Sequence, residues 1–319
     1  MRKIRIVQIG ANSHSHSNEI FKCLQKQTEL FEIAGIVLPE NERQRLPNKV
    51  KDMDGHRELS LQAALSDPEI EAVIIETDEI YLTKYALLAA KAGKHIHMEK
   101  PGGLSLADFE ELIETVKRTG KVFHTGYMYR YNPYISDLLR KVKRGELGEI
   151  TSVEAQMSCL HTEDTQRWVN EFPGGMMFFL GCHLTDLILR LQGVPERVVP
   201  LGEMAVFTYG NGVSFIKTSA RELGGFNRRQ LVVTGTKGTV EIKPLETCVG
   251  DKIYTTRSEC FGTDWHAKGQ LSQSELIDRY EAMMAAFADY VRGDEDNPYT
   301  PEYELLLYKT ILQTCGVII

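Results

Sequence analysis

The sequence predicts an α/β chain: first a doubly wound parallel sheet, then an α+β domain on a mostly antiparallel sheet. Three observations predict it. Short β-branched runs alternate with helix-period segments as far as Arg118. After Gly148 strand-like stretches follow one another, several separated by turn residues. The chain has 319 residues, 42% of them hydrophobic, and single cores stop growing at roughly 250–300 residues. The domains are expected at 1–124 and 125–319, with the last helices packing back on the first.

Composition narrows the function classes. Against 37 basic residues stand 44 acidic ones, a net charge of −7 with no separate basic block, and such a surface repels nucleic acid and anionic membrane. The six cysteines are scattered without a Cys-x-x-Cys pair, as in a cytoplasmic protein with reduced thiols, and imply neither disulfides nor structural zinc. No apolar run approaches the ~20 residues that span a bilayer, and no secretion signal is expected.

Ile4 to Ile9 reads as a buried strand that meets a turn at Gly10. Ala11-Asn12-Ser13-His14-Ser15-His16-Ser17 follows, and Ile20, Phe21 and Leu24 then recur at helical spacing. Strand, tight loop and helix in that order can seat a pyrophosphate on the helix N-terminus. Of Gly-x-Gly-x-x-Gly only the first glycine is present, Asn12 and Ser15 taking the other two places. The same residues also suit an ordinary βα turn: Asn tolerates positive φ, and Ser13, Ser15 and Ser17 can cap the helix or bind phosphate oxygens. His14 and His16 read as exposed loop residues rather than a metal pair.

The next strand, Ile33 to Leu38, ends in Pro39-Glu40. Where dinucleotide folds carry an acid for the adenosine ribose, this chain has Leu38, with Glu40 as a substitute two residues on. Ser60 caps a short helix to Leu65, Ala72 to Ile75 is a strand ending at Glu76-Thr77-Asp78-Glu79, and a helix from about Tyr81 to Ala92 closes at Gly93. His95-Ile96-His97 then leads into Met98-Glu99-Lys100-Pro101, and Ser105 opens a helix to about Arg118 with capping-box spacing. Ligands sit beyond the carboxyl ends of such strands, so the loops at Gly10, Thr77 and Glu99 converge on one candidate site. There Lys100 is either a reactive ammonium pinned between strand and helix or a solvated charge.

In the second part the strands are read at Ile150 to Met157, Val198 to Tyr209, Val213 to Ala220, Leu231 to Thr234, Thr239 to Lys243 and Ile253 to Thr256. From Met176 to Leu191 the chain is apolar almost all round, as a buried helix is, with His183 and Asp186 on one face and Phe179 one turn earlier. His183 is open to two readings: proton transfer with the carboxylate fixing its tautomer, or a satisfied core histidine. The polar stretch His161 to Trp168 reads as a loop offering His161, Arg167 and Trp168 as substrate contacts. Helices are expected from about Ser274 to Val291 and from Pro301 onward, the latter capped by Thr300.

Strand-Glu99-Lys100-Pro101-helix, then Gly126-Tyr127-Met128-Tyr129-Arg130-Tyr131-Asn132-Pro133, then Gly145-Glu146-Leu147-Gly148-Glu149-Ile150, resembles the glucose-fructose oxidoreductase, myo-inositol dehydrogenase and rhizopine-catabolism family over nearly the whole chain. The resemblance implies a Rossmann-like nicotinamide-binding domain followed by a domain on a large open antiparallel sheet. It also implies interconversion of a hydroxyl and a ketone on a sugar, polyol or cyclitol. Lys100 and His183 are then the catalytic pair. Gly10, Asn12, Ser13, His14, Leu38, Glu40, Thr77, Glu79, Glu99 and Lys100 hold NAD or NADP, and Asp186, Tyr127, Arg130, His161 and Trp168 meet a small-molecule substrate. No metal is implied, and a homodimer or homotetramer through the second sheet is. The family's second motif, Gly-Gly followed by Asp-x-x-x-His-x-x-Asp, is matched at His183 and Asp186 but has Phe179 for its first aspartate; Asp78 and Glu79 replace the common Pro-Asn. These departures keep an alternative open: a relative with lost or altered redox chemistry, acting as a ligand-binding regulator or a non-redox sugar-modifying enzyme.

Overall fold

The computed structural model describes residues 2–262 and 264–318. Its elements run β1 (Ile4–Ile9), α1 (Ser17–Lys26), β2 (Phe31–Val37), α2 (Glu42–Arg45), α3 (Pro47–Val50), α4 (Leu61–Ser66), β3 (Ala72–Ile75), α5 (Leu82–Lys91), β4 (His95–Met98), α6 (Leu106–Thr119) and β5 (Phe123–Thr125). There follow α7 (Pro133–Lys143), β6 (Ile150–Ser158), α8 (Glu163–Val169), α9 (Met176–Phe179), α10 (Gly181–Gln192), β7 (Arg197–Pro200), β8 (Met204–Tyr209) and β9 (Gly212–Ser219). The chain closes with β10 (Gln230–Gly235), β11 (Gly238–Ile242), β12 (Thr247–Val249), β13 (Lys252–Tyr254), β14 (Thr256–Phe261), β15 (Gln270–Gln273), α11 (Glu281–Arg292) and α12 (Pro301–Thr314). Two compact units result: Met1–Tyr127 with Tyr280–Tyr308, and Met128–Arg279 with Lys309–Ile319.

The first unit holds a five-stranded sheet in the order β2-β1-β3-β4-β5, parallel at every pairing. Ile6, Val7, Ile9, Val73, Ile74, Ile75 and Ile96 are fully buried, as expected of a parallel sheet covered on both faces. The order reverses beside β1, so the loops leaving β1 and β3 flank the crevice where doubly wound sheets bind ligands. Gly10 stands at its edge with φ +85°, donating to the Val37 carbonyl at 2.7 Å. A Cβ there would lie 2.3 Å from the Thr77 methyl, so only glycine lets these two loops approach.

The expected caps form. Ser60 Oγ accepts from the Ala63 amide and Ser105 Oγ from the Asp108 amide, while Thr300 Oγ1 accepts from the Tyr303 amide. The Lys100–Pro101 peptide is cis.

The second unit carries an eight-stranded sheet in the order β15-β14-β11-β10-β6-β9-β8-β7. It is antiparallel except where β6 runs beside β9. Along β6 the fully buried Val153, Ala155 and Met157 alternate with the less buried Ser152, Glu154 and Gln156, a period of two that gives the sheet one packed face.

Four segments differ from the sequence reading. Val198 to Tyr209 is a hairpin rather than one strand: it turns through Leu201-Gly202-Glu203, Gly202 at φ +72°, and the Leu201 amide bonds the Met204 carbonyl at 2.7 Å. The apolar helix breaks at Leu180, where Gly181 packs so closely that a Cβ would lie 2.6 Å from Met177 Sδ. Residues 274–280 are not helical, because Ile277 exchanges two 2.9 Å backbone bonds with Ile253. His161 to Trp168 is largely the helix α8, capped by Thr162 Oγ1 with Glu163 and Asp164 in its first turn, a dipole-matched start legible in the sequence.

Candidate functional site

In the first unit the strand ends bring Gly10, Thr77, Glu99 and Lys100 into one buried cluster. Asn12, fully buried, organises the loop after β1: its Nδ2 donates to the Thr77 carbonyl at 2.9 Å, and its Oδ1 accepts from the amides of His14 (2.8 Å) and Ser15 (2.7 Å). Ser17 Oγ accepts from the Asn12 amide at 2.9 Å. Ser13 donates from both its amide and its Oγ to Asp78 Oδ1, each at 2.8 Å. Ser15 Oγ donates to Glu99 Oε1 at 3.0 Å, and the same oxygen lies 3.6 Å from Lys100 Nζ. Lys49 Nζ closes the loop on the Ser15 carbonyl at 2.8 Å.

Carboxyl groups crowd this ammonium. Glu76, Glu79, Glu99 and Lys100 are each at most 6% exposed, and the carboxyl oxygens of Glu76 and Glu79 have no hydrogen-bond partner among the described residues. Burial pushes the Glu79 carboxyl up to about 7, although the Lys100 ammonium draws it down. Burial, reinforced by the Glu99 carboxylate, pushes Glu76 well above its ordinary range. Behind it His97 Nε2 lies 3.6 Å from Glu76 Oε1, too far for a hydrogen bond, while His97 Nδ1 meets His124 Nδ1 at 2.7 Å. Burial pushes His97 down to about 3, so near neutral pH this is a neutral imidazole. Buried carboxyl oxygens without a hydrogen bond of normal geometry suit a hydroxyl-rich ligand.

The expected ribose readers are already engaged. Glu40 Oε1 accepts from Lys84 Nζ at 2.9 Å and from the Tyr85 hydroxyl, and Leu38 packs on the cluster of Ala11, Phe21, Ile36, Val50 and Met53. His14 and His16 are exposed, the His16 ring tilted against Tyr280 with centroids 5.7 Å apart. Tyr127 is buried at the end of β5.

In the second unit His183, on α10, is buried and presents its ring edge-on to Tyr129 with centroids 5.2 Å apart. Asp186 takes a bidentate bond from Arg130, Nε to Oδ2 at 2.9 Å and Nη2 to Oδ1 at 2.7 Å, both side chains fully enclosed. Two expected substrate contacts thus hold each other, in the fork geometry that guanidinium and carboxylate favour.

Trp168 packs edge-on against Phe172 and Phe179, and Phe179 belongs to an apolar cluster with Val169, Met176 and Ala220. The substituted motif position is therefore core, with the half-buried Trp168 packed against it. His161 Nε2 meets Cys159 Sγ at 2.9 Å, and Arg167 is exposed and paired with Asp164.

A group the sequence did not reveal adjoins His183. The Tyr129 hydroxyl donates to Glu246 Oε1 at 2.8 Å, which also accepts from Arg229 Nη1 at 2.9 Å and from Arg279. Burial pushes the Tyr129 hydroxyl up to about 12, so it is a donor at neutral pH. Tyr129 lay inside the quoted Gly126 to Pro133 motif; Glu246 and Arg229 carry no local pattern and meet through chain reversal.

Comparison with known proteins places the chain. Residues 4–127 match the model of an oxidoreductase family, GFO/IDH/MocA, with an NAD-binding Rossmann fold, and residues 135–241 match the GFO/IDH/MocA C-terminal domain. Scyllo-inositol 2-dehydrogenase (NAD(+)) of Bacillus subtilis is 40% identical over 85 residues, 27% of this chain and 25% of that protein. The 2,7-anhydro-N-acetylneuraminate hydratase of Escherichia coli is 26% identical over 207 residues, 59% of this chain and 55% of that protein. The matches cover about half the length of the curated relatives, 44%, 62% and 55% in three of them. A 3-ketoreductase from Actinomadura kijaniata, solved with NADP, superposes with a TM-score of 0.77 at 16% identity, over 97% of this chain and 96% of that one.

Proposed function

This chain belongs to the GFO/IDH/MocA oxidoreductase family, and from that premise we propose that it is an NAD- or NADP-dependent enzyme interconverting a hydroxyl and a ketone on a sugar, polyol or cyclitol. The observation that carries the reading is the buried Lys100 ammonium at the carboxyl end of β4, beside Glu99 and Glu79. Scyllo-inositol dehydrogenases among the relatives support the substrate class.

The loop chemistry fits a dinucleotide. Its Ser13 amide and hydroxyl already hold one anion, the Asp78 carboxylate, and the unpartnered oxygens of Glu79 suit ribose hydroxyls. Gly10, Asn12, Ser13, His14 and Thr77 are assigned to cofactor binding, with Leu38 and Glu40 at the adenosine end. A bound nicotinamide supplies hydride exchange. The chain's own task is the proton. The Lys100 ammonium donates to the substrate oxygen and polarises it, and His183 is assigned to proton exchange by its motif position. Tyr127 and His161 remain substrate contacts in this reading; Arg130 and Asp186 act as a positioning pair.

Among the described residues no helix is long and apolar enough to cross a membrane, and the reading places the enzyme in the cytoplasm. It assigns self-association, as a homodimer or homotetramer, to the eight-stranded sheet.

A second reading, non-redox sugar modification or ligand binding, is favoured by Phe179, whose ring sits in an apolar cluster where the motif has an aspartate. One assay separates the two: incubation with NAD(+) and NADP(+) across a panel of sugars, polyols and cyclitols, followed by nicotinamide absorbance and product NMR. The dehydrogenase reading expects reduced cofactor with at least one substrate. Product without cofactor reduction supports the second.

A further inference from the structure

The loop after β1 has no idle main-chain donor between Asn12 and Ser15: the four amides end on Ser17 Oγ, Asp78 Oδ1 and, twice, Asn12 Oδ1. Three of these bonds go to neutral oxygens. The fourth goes to a carboxylate from the loop after β3, 65 residues away, which takes the Ser13 hydroxyl as well. Asp78 Oδ2 in turn accepts from Arg45 Nη2 at 3.0 Å, and Arg45 Nε donates to the Glu40 carbonyl at 2.9 Å. An amide, a hydroxyl and a guanidinium converging on one carboxylate in the loop that leads into α1 are the donors a phosphate group uses.

Resting on the dinucleotide reading above, we infer that Asp78 is an intramolecular latch: its carboxylate occupies the loop's phosphate seat, and a dinucleotide binds by displacing it from Ser13 and taking over Arg45. A carboxylate and a phosphate oxygen cannot share the same donors, because like charges at hydrogen-bond range repel. The latch therefore weakens binding of phosphate-bearing ligands and leaves a ligand without phosphate unaffected. It also gives Arg45 two successive partners, the carboxylate without ligand and the pyrophosphate with it, so the guanidinium is never left without an anion.

The test is calorimetric titration of the wild type, Asp78→Asn and Asp78→Ser with NADH, NADPH and adenosine. Asparagine keeps the acceptor oxygen and the size of the side chain and removes the charge; serine removes the reach. The latch predicts that both variants bind the preferred dinucleotide about ten- to a hundredfold more tightly, bind adenosine as the wild type does, and have a lower Tm without ligand. A merely supporting role for Asp78 would lower Tm and affinity together. Dinucleotide binding that is unchanged or weaker in the variants overturns the latch alone. Absence of dinucleotide binding in all three proteins overturns the latch and the dinucleotide reading with it.

Discussion

Replacing Lys100 with methionine lowers kcat by about 10²–10⁴-fold, the usual contribution of a positioned proton donor, while the protein stays folded. The side chain is 6% exposed and its ammonium is 3.6 Å from Glu99 Oε1. Methionine fills the same channel with an unbranched, apolar chain of similar length, so packing changes little. What disappears is the ammonium that draws the Glu79 carboxyl down, and the carboxyls respond by taking up protons rather than by unfolding the loop. Steady-state kinetics beside cofactor titration check this: kcat falls while the cofactor Kd moves only a few-fold. If kcat and Kd are both unchanged, Lys100 is an inherited strand-end residue and the mechanism above is wrong.

Arg130→Met destabilises the protein by about 3–5 kcal/mol, the cost of breaking a buried charge pair from one side. Both partners are enclosed, the side chains 0% and 1% exposed, and both carboxylate oxygens of Asp186 face the guanidinium. Removing the arginine leaves a buried anion without its fork. Urea denaturation of Arg130→Met and of the double variant Arg130→Met/Asp186→Leu measures the effect, and the double variant recovers most of the loss because two apolar groups replace two charges. Asp186 lies three residues beyond His183 on α10, so the pair fixes the helix that carries the histidine. A double variant that is stable yet slow would assign Arg130 and Asp186 to positioning His183 rather than to the fold alone.

What the sequence made legible was local. A strand with four β-branched residues closing on Gly10, the serine caps at 60 and 105 and the Glu99-Lys100-Pro101 strand end follow from periodicity and capping, which act within a few residues. The features it left hidden depend on distant partners. Residues 274–280 look helical until Ile253 claims Ile277; Gly181 breaks an apolar helix only because Met177 and Thr218 crowd it. Glu40 reads as a ribose acceptor, and only the fold brings Lys84 and Tyr85 onto its carboxylate. Asp78 was visible as a departure, but its role in holding Ser13 and Arg45 needs the folded sheet that brings the loops of β1 and β3 together. Likewise His183 and Asp186 have the spacing of a pair, and only the structure shows that Arg130 takes the carboxylate.

The most direct test of the central claim is titration of the purified wild-type protein with NADH and NADPH, followed by calorimetry or nicotinamide fluorescence. The account predicts one-to-one binding of at least one of them in the range of about 1 μM to 1 mM that is ordinary for enzyme ligands. Failure of both to bind at millimolar concentration would contradict it.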